Sequence, residues 1–381
     1  MYLYEEVFAS SLIPFGDCWK LNMQKTTVET LHATNLADAE RWSRLVSDAP
    51  TPDAYYLPAY AEATSEIEHS EPVAIIAGPE SRLLAPLLVR RMSAVVNGTR
   101  IDWADACSPY GYGGLLNLSG SEHINSESLQ CFFEDLLCWC SSQNIVCCVL
   151  RMHPMIRQEE WFAPKAQWQR FLRIQMRGTT TAIDLADWVD TTDRPRGMRK
   201  DRRSDLNRAQ RTLRVTWALG DDRDVALSID RFSTIYNLAL DRHRADDFHR
   251  FPPSYFSRLT ALRDRLGIAF AWLDEELVGA NIFLAGWNYA HGHLAGVNEA
   301  GLKYGAGTLL IVEGAKWARK RGCKLLHLGG GLTPGDSLEN FKCSFGGHSY
   351  RYFYLTFIAD RKKFDSLREL PNAPWPYRMN E

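Results

Sequence analysis

The sequence lacks a long apolar segment. Nowhere in its 381 residues is there an uninterrupted run of uncharged apolar residues as long as the roughly 18 residues that a helix needs to cross a bilayer. The basic region of a secretory signal is also missing, because Glu5 and Glu6 stand where it would lie. We therefore expect a protein without a membrane span that resides in the cytoplasm.

An excess of charge is also missing. The chain has 44 Lys and Arg against 46 Asp and Glu, and its formal net charge is −2, which excludes a global attraction to nucleic acid. Hydrophobic residues make up 45% of the chain, which is typical of globular proteins, and the length favours two domains. Any anion-binding site must therefore be a local concentration of basic residues.

Cysteine is present, but not in a convincing metal-binding pattern. Nine cysteines without an export signal indicate free thiols in a reducing compartment. Cys138 and Cys140 lie in a helical pattern, whereas Cys147 and Cys148 are neighbours in a predicted strand and point to opposite faces. We interpret these four residues as buried core thiols rather than zinc ligands, and we expect no metal site.

Two similar series of predicted elements divide the chain. In residues 26–177 and again in residues 178–354, strands lead to a glycine-rich turn, a helix and a further strand. The last strand, 350–358, returns toward the first unit, which residues 355–381 would complete. Residues 1–25 fit neither series and are expected to form an N-terminal extension. The repetition predicts two related α/β units, of α+β character, rather than one large sheet.

A basic segment opens the second series. Residues 194–214 are rich in Arg and Lys, and only two aspartates oppose them. At about 3.6 residues per turn, one side of a helix carries the apolar residues Met198, Leu206, Ala209 and Leu213. The opposite side carries the cations Arg196, Lys200, Arg203, Arg211 and Arg214. The forked donors of Arg suit phosphates, so we predict a phosphate-binding surface; a solvated basic face is the alternative.

The turn at 302–307 is a second candidate binding site. Tyr304, Gly305 and Gly307 precede a predicted helix, whose N-terminal amides can bind phosphate. The turn resembles the pyrophosphate loop of Gcn5-related (GNAT) acetyltransferases, in which Gln or Arg stands at the position of Leu302. The resemblance implies coenzyme A binding at this turn. Tight strand-to-helix packing explains the two glycines equally well.

The most specific segment combines His-Leu-Gly-Gly-Gly at 327–331 with Phe-Lys-x-x-Phe-Gly at 341–346. Together with Tyr-Gly-Tyr-Gly-Gly at 110–114 and the basic helix, it resembles the FemA, FemB and FemX family over roughly residues 27–360. The resemblance implies two tandem GNAT-like domains with a cleft between them. It also implies transfer of an aminoacyl group from aminoacyl-tRNA, as co-substrate, to an amine of a small-molecule or peptide acceptor, with or without a phosphate. No bound cofactor is expected; an acyl-coenzyme A-dependent N-acyltransferase is the alternative.

The Phe-Lys-x-x-Phe-Gly motif also has a local interpretation. Asp336 or Ser337 can cap a short helix with Glu339 reaching back. The ammonium of Lys342, which follows Phe341, would then be held beside an apolar surface and could stabilise the oxyanion of an acyl transfer. The alternative is a surface lysine whose stem covers the phenylalanines. Helical spacing places three residues on the buried face, namely Leu338, Phe341 and Phe345.

Acid–base catalysis and ligand stacking have weaker candidates. His293 and Asp336 are candidate general bases, with His291 as a further one, although strand histidines more often pack as polar core residues. Tyr110 and Tyr112 lie in the glycine-flanked loop of the first unit and could stack on a ligand or hydrogen-bond to it. A tight turn with exposed aromatic side chains is the alternative.

Overall fold

A computed structural model describes residues 28–78, 82–96, 99–120, 124–162, 172–189, 193–243, 249–331, 333 and 335–370. The predicted N-terminal extension, residues 1–25, lies outside this part of the chain, and so do residues 371–381.

The first half of the chain follows the predicted series, with one helix added. Its elements are β1 (Glu29–His32), α1 (Leu36–Ser47), α2 (Pro58–Glu68), β2 (Glu71–Ala77), β3 (Leu83–Val96), β4 (Thr99–Cys107), β5 (Leu116–Asn117), α3 (Ser126–Ser142), β6 (Ile145–Arg151) and β7 (Leu172–Asp184). The sequence patterns do not predict α2, whose N-cap residue Leu57 makes no side-chain capping hydrogen bond. A short 3-10 segment, Ala54–Tyr56, leads into it.

The second half repeats this order. Its elements are β8 (Trp188–Val189), β9 (Arg194–Pro195), α4 (Lys200–Thr212), β10 (Arg214–Leu219), α5 (Val225–His243), α6 (Pro253–Leu259), β11 (Leu266–Leu273), β12 (Glu276–Ala285), β13 (Tyr289–Val297), α7 (Glu299–Tyr304), α8 (Ala306–Lys320), β14 (Leu325–Gly329), α9 (Ser337–Cys343), β15 (His348–Ile358) and α10 (Arg361–Arg368). β11 and β12 form an antiparallel hairpin that closes at Leu273 opposite Glu276.

Each half contains one parallel strand pair reached by a helical crossover. In the first half β4 pairs with β6 in parallel and α3 lies between them in the chain. In the second half β13 pairs with β14 in parallel, and α7 and α8 form the crossover. The other ladders are antiparallel. The predicted repetition of two α/β units is therefore confirmed.

The two units do not form separate sheets. β7 runs from the first unit into the second, where its residues 181–184 pair with β14, and β15 runs from the second unit back to the first, where its residues 354–358 pair with β6. β7 and β15 also pair with each other, from His348 opposite Ala182 to Phe357 opposite Leu172. One sheet results, in the order β1-β2-β3-β4-β6-β15-β7-β14-β13-β12-β11-β10. The prediction of two α/β units rather than one large sheet is therefore wrong. The exchange of β7 and β15 between the units gives both strands backbone hydrogen-bond partners on both sides, so neither is an unpaired edge. The predicted return of the last strand is confirmed.

Alternate residues of the sheet pack into different cores. In β11, Ile268 and Phe270 belong to a core shared by both units, whereas Ala269 and Ala271 belong to a core with α8. This alternation is the period of two that a strand imposes. The shared core contains aromatic residues of α1, α2, α5 and α6. The first unit has its own core with α3, to which Phe357 of β15 contributes.

The cysteines are placed as the strand geometry predicts, with one exception. Cys147 and Cys148 are buried in different clusters on opposite faces of the sheet. Cys140 is buried with its Sγ 3.6 Å from that of Cys148. Cys138 is exposed, so its interpretation as a core thiol is wrong. No zinc site forms from these four residues, because they do not converge on one point.

In the part of the chain that the structure describes, no helix is both long and apolar enough to span a membrane.

Truncation of Phe357 tests the strand exchange. Its side chain is 1% exposed and completes the core of the first unit from the far end of the chain. We expect Phe357→Ala to lower the free energy of unfolding by about 3–5 kcal/mol, because it leaves a cavity. Leu227→Ala, at a 57% exposed position, should change it by less than about 0.5 kcal/mol. Urea unfolding measures both, and equal effects would contradict the role given to β15.

Candidate functional site

The glycine run after β14 brings polar groups of both units together. Gly329 has a φ of +73°, which only glycine adopts easily. A Cβ atom at this position would lie 3.3 Å from the hydroxyl of Tyr112 and 3.4 Å from Nζ of Lys342. One side chain from the first unit and one from the second therefore approach the same piece of backbone.

Lys342 is held in place by that backbone. Its Nζ donates a hydrogen bond to the carbonyl of Gly330 at 2.6 Å. Burial lowers the pKa of Lys342 to about 8, and the nearby Asp336 acts in the opposite direction. The ammonium is therefore charged at neutral pH and loses its proton as the pH rises through about 8. This geometry differs from that of a solvated surface lysine.

The cap of α9 forms as predicted. Asp336 accepts hydrogen bonds from the backbone N–H groups of Glu339 at 2.7 Å and Thr333 at 3.0 Å. Glu339 reaches back to the N–H of Gly335 and also contacts the hydroxyl of Thr179 on β7. The cap thus ties α9 to the exchanged strand.

The predicted buried face of α9 is only partly confirmed. Phe345 is fully buried and Phe341 is half-buried, with their rings 5.2 Å apart. Leu338 is 39% exposed, so its prediction as a buried residue is wrong. The helix is only two turns long and starts beyond the edge of the core, so its first apolar residue lies outside. Arg202 of α4 lies over the ring of Phe341, 5.4 Å from its centre.

Tyr112 faces Lys342 from the first unit. Burial raises its pKa, and the nearby backbone N–H of Gly330 acts in the opposite direction, so the phenol stays protonated and can donate. The ring packs edge-on against His327 at 4.6 Å and against Tyr352 at 4.8 Å. The alternative of an exposed aromatic turn is wrong, because both tyrosines of this loop are half-buried.

Tyr110 and His293 lie together, and their contacts are with residues other than Lys342. Their rings are 5.9 Å apart, and His293 forms a hydrogen bond with the hydroxyl of Tyr255. Burial, with a smaller effect of His291, lowers the pKa of His293 to about 3, so the imidazole is neutral. The ring of Tyr55 lies 6.3 Å from His293 and 6.1 Å from Tyr112. The structure thus does not bring His293 to the ammonium of Lys342.

A buried cluster of Asp53, His153, His291 and His327 lies behind Tyr112, and we call it the Asp–His cluster. Its members are at most 1% exposed. Burial alone would raise the pKa of Asp53, but His291 and His153 hold it well below its usual range. Of these residues, His291 was predicted only as a base and His327 only as part of the His-Leu-Gly-Gly-Gly motif, whereas Asp53 and His153 were not predicted. They stand far apart in the chain, so spacing could not have indicated them.

The basic helix is shorter than predicted. α4 starts at Lys200, whereas Arg196 precedes it and Arg214 is the first residue of β10. The predicted apolar side is confirmed, because its members are all buried, namely Met198, Leu206, Ala209 and Leu213.

Some of the predicted phosphate-binding cations have partners within the protein. Arg196 forms an ion pair with Asp187, whereas Asp205 pairs with Arg202 and Arg208, which were not among the predicted cations. Arg203 donates to the carbonyl of Met198 at 3.0 Å.

The cations on the outer side of α4 form a smaller surface than the predicted phosphate-binding surface. Lys200 and Arg211 are exposed and form no ion pair within the described residues. Together with Arg203 they share one side of the helix, since 11 residues make about three turns. We call these three residues the α4 surface.

The glycine turn before α8 is occupied by neighbouring helices. Gly305 has a φ of +81°, and a Cβ atom there would lie 3.0 Å from the carbonyl oxygen of Asp205. A Cβ atom at Gly307 would lie 3.7 Å from the ring of Phe341. Tyr304 is half-buried and packs against the core with α8. The N-terminus of α8, where a pyrophosphate would bind, is therefore in contact with α4 and α9.

Comparisons with known proteins agree with this architecture. Residues 196–342 match the family described as "Acetyltransferase (GNAT) domain". The crystal structure of FemX is similar with a TM-score of 0.66 at 11% identity, over 88% of this chain and 99% of that one. The structure of L-PGS from Bacillus licheniformis gives a TM-score of 0.54 at 12% identity, over 84% and 92% of the two chains. No curated protein sequence matches.

A third solved structure is similar over most of the chain. The C-terminal domain (DUF2156) of a putative lysylphosphatidylglycerol synthetase from Agrobacterium fabrum has a TM-score of 0.52 at 13% identity, over 86% of this chain and 93% of that one. At these identities the likeness shows the fold, which is the tandem GNAT-like fold of FemX. This fold and the GNAT domain match support an acyltransferase.

The environment of Lys342 predicts an unusual titration. We expect one lysine side chain to lose its proton near pH 8, because burial destabilises the charged ammonium. Nζ-detected NMR of protein with labelled lysine measures this directly. The signal should be absent in Lys342→Met and retained in Lys320→Met, which removes an exposed lysine. A spectrum without a lysine signal that titrates below about pH 9 would contradict the burial of this ammonium.

Proposed function

We propose that this protein is an aminoacyl-tRNA-dependent aminoacyltransferase that forms an amide bond on an amine of a small-molecule or peptide acceptor. The observation that carries the proposal is the ammonium of Lys342, held at Gly330 beside the hydroxyl of Tyr112. It lies in the Phe-Lys-x-x-Phe-Gly motif, on which the resemblance to the Fem family rests. The tandem GNAT-like fold of FemX supports the same reading.

The geometry suits the stabilisation of a carbonyl oxygen that gains negative charge. An ammonium has three donors, and the carbonyl of Gly330 takes one of those of Lys342. The phenol of Tyr112 remains protonated because burial raises its pKa. Two donors from different units can therefore approach one oxyanion, in a place where burial strengthens electrostatic interactions.

The reaction needs no nucleophile from the protein, because an aminoacyl ester is already activated. The nitrogen of the acceptor amine attacks the ester carbonyl, and an N–C bond forms. The C–O bond to the ribose then breaks, and the proton released by the amine ends on the ribose hydroxyl. Lys342 stabilises the intermediate oxyanion, and Asp336 favours the charged form of Lys342.

The two predicted bases are assigned other roles. Both carboxylate oxygens of Asp336 accept backbone N–H groups at the start of α9, so this residue positions the helix. His293 is hydrogen-bonded to Tyr255 and lies apart from Lys342. We assign proton transfer to the substrates themselves.

The turn before α8 favours a tRNA donor over coenzyme A. Asp205 and Phe341 pack against Gly305 and Gly307, where the pyrophosphate of coenzyme A would bind in a GNAT enzyme. The exposed cations of the α4 surface lie on the outer side of α4, because the opposite side is buried. An extended polyanion such as a tRNA acceptor end can bind there without entering the turn.

The donor is tested by transfer from labelled aminoacyl-tRNA pools to a small-molecule and peptide extract. We expect labelled amide products that disappear when RNase is added first. Lys342→Met should slow transfer by about 10²–10³-fold, the usual effect of losing one oxyanion donor, whereas Lys320→Met should not. Release of coenzyme A from acetyl-coenzyme A, with no RNase-sensitive transfer, would overturn the proposal in favour of the alternative.

Charge reversal on α4 tests the binding of the tRNA. We expect the double variant Lys200→Glu and Arg211→Glu to raise the Kd for aminoacyl-tRNA. The slope of log Kd against log salt concentration should fall by about one to two, since each phosphate contact contributes roughly 0.7–0.9 to it. The matched control is Arg223→Glu with Arg231→Glu, which makes the same charge change at exposed positions outside α4. An equal effect of both double variants would show that only net charge matters.

A further inference from the structure

The Asp–His cluster joins three separate parts of the chain. Asp53 precedes α2, His153 follows β6, and His291 lies on β13. Asp53 and His153 therefore come from the first unit and His291 from the second. The oxygens of Asp53 lie 2.9 Å and 3.0 Å from Nε2 of His291, and Oδ2 lies 3.6 Å from Nε2 of His153. These donor atoms are all within 4.8 Å of one another.

His153 lacks hydrogen-bond partners for its ring. Both ring nitrogens are buried and unpaired in the part of the chain that the structure describes. The 3.6 Å to Asp53 exceeds a normal hydrogen bond. Burying an unpaired polar group is costly, and native proteins retain such groups mainly where they serve a ligand or a function. One face of the His153 ring also stacks on Tyr56. The ring nitrogens, which lie on the edge of the ring, therefore do not point at Tyr56.

The side-chain partners of Asp53 in this cluster are imidazoles. Asp53 is fully buried, and among the described residues its ion-pair partners are His153 and His291 only. Buried charged groups in proteins are paired or coordinate metals. A divalent cation between the carboxylate and the two imidazoles would use all three groups as ligands.

The surrounding groups orient these donors as outer partners of metal ligands do. Nδ1 of His291 lies 3.3 Å from Nδ1 of His327. When His291 donates its Nδ1–H to His327, its Nε2 presents a lone pair toward Asp53. Oδ1 of Asp53 accepts the backbone N–H of Tyr55 at 3.0 Å. Partners of this kind fix the orientation of metal-binding imidazoles and carboxylates. The backbone N–H of His153 donates to Oε1 of Gln158 at 3.0 Å, which holds the chain at this point and leaves the ring nitrogens unpaired.

We propose that Asp53, His153 and His291 bind one divalent first-row transition metal ion, of the zinc class, which ties the two units together. Two imidazole nitrogens and one carboxylate oxygen are a donor set that such ions prefer. The ion is structural in this proposal, because the cluster is closed to solvent. The proposal is independent of the aminoacyl transfer assigned to Lys342.

The test uses the full-length protein, freed of any histidine tag and treated with a chelator. We expect it to take up about one Zn²⁺ per chain by elemental analysis, to unfold at a higher temperature with Zn²⁺ than without, and to give a visible absorption band with Co²⁺. The band should lack the charge-transfer absorption of a thiolate ligand, which separates this site from the adjacent thiols of Cys140 and Cys148.

Variants locate the ion. His153→Gln and Asp53→Asn should each weaken Zn²⁺ binding by more than the roughly 10–100-fold that loss of an outer partner costs, with far-UV circular dichroism as the check on folding. His348→Gln, at an exposed histidine, is the matched control. A folded protein that takes up no stoichiometric Zn²⁺ and gives no Co²⁺ band would overturn the proposal. So would binding that survives both variants. Where a variant does not fold, the wild-type stoichiometry and spectrum decide.

Discussion

The exchange of β7 and β15 is the interaction on which the rest of this structure depends. β7 runs from the first unit to pair with β14 of the second, β15 runs from the second unit to pair with β6 of the first, and the two strands also pair with each other. Because β14 then lies beside β7, the glycine run at its end faces the Tyr112 loop of the first unit. The α9 helix, which connects β14 to β15, is held at the same place through Glu339 and Thr179. The site is therefore a consequence of how the sheet is closed.

The interior around this junction is more polar than a protein core usually is. The half-buried Lys342 and the fully buried Asp–His cluster lie in the same region, with the ring of Tyr112 between them. Buried polar groups cost free energy unless they are satisfied, so such a junction is specified more strictly than an apolar one. Two ionisable groups lie there, the ammonium of Lys342 and the carboxylate of Asp53. Packing alone would be better served by apolar side chains.

Local signals explain why much of the fold could be predicted. Period-two alternation in β11 and β12, the cap at Asp336 and the apolar side of α4 are all consequences of neighbours within a few residues. Errors arose where a distant partner decides the outcome. Leu338 has the spacing of a core residue but lies beyond the core, and α2 starts without the side-chain cap that marks most helices. The charges of α4 were countable, but which arginines pair with Asp205 depends on geometry.

The amino-acid sequence alone predicted most of the elements in their order and the repetition of two α/β units, and it singled out the Phe-Lys-x-x-Phe-Gly segment as a candidate site. These features follow from periodicity and from residue types that are adjacent in the chain. Tertiary contacts, in contrast, establish that the two units share one sheet, that Tyr112 meets Lys342 at Gly329, and that Asp53 lies beside His291. Strand pairing across some hundreds of residues is chosen by the total burial and hydrogen bonding of the whole chain. Short-range sequence patterns cannot predict that choice, because the residues near one strand do not depend on which distant strand pairs with it.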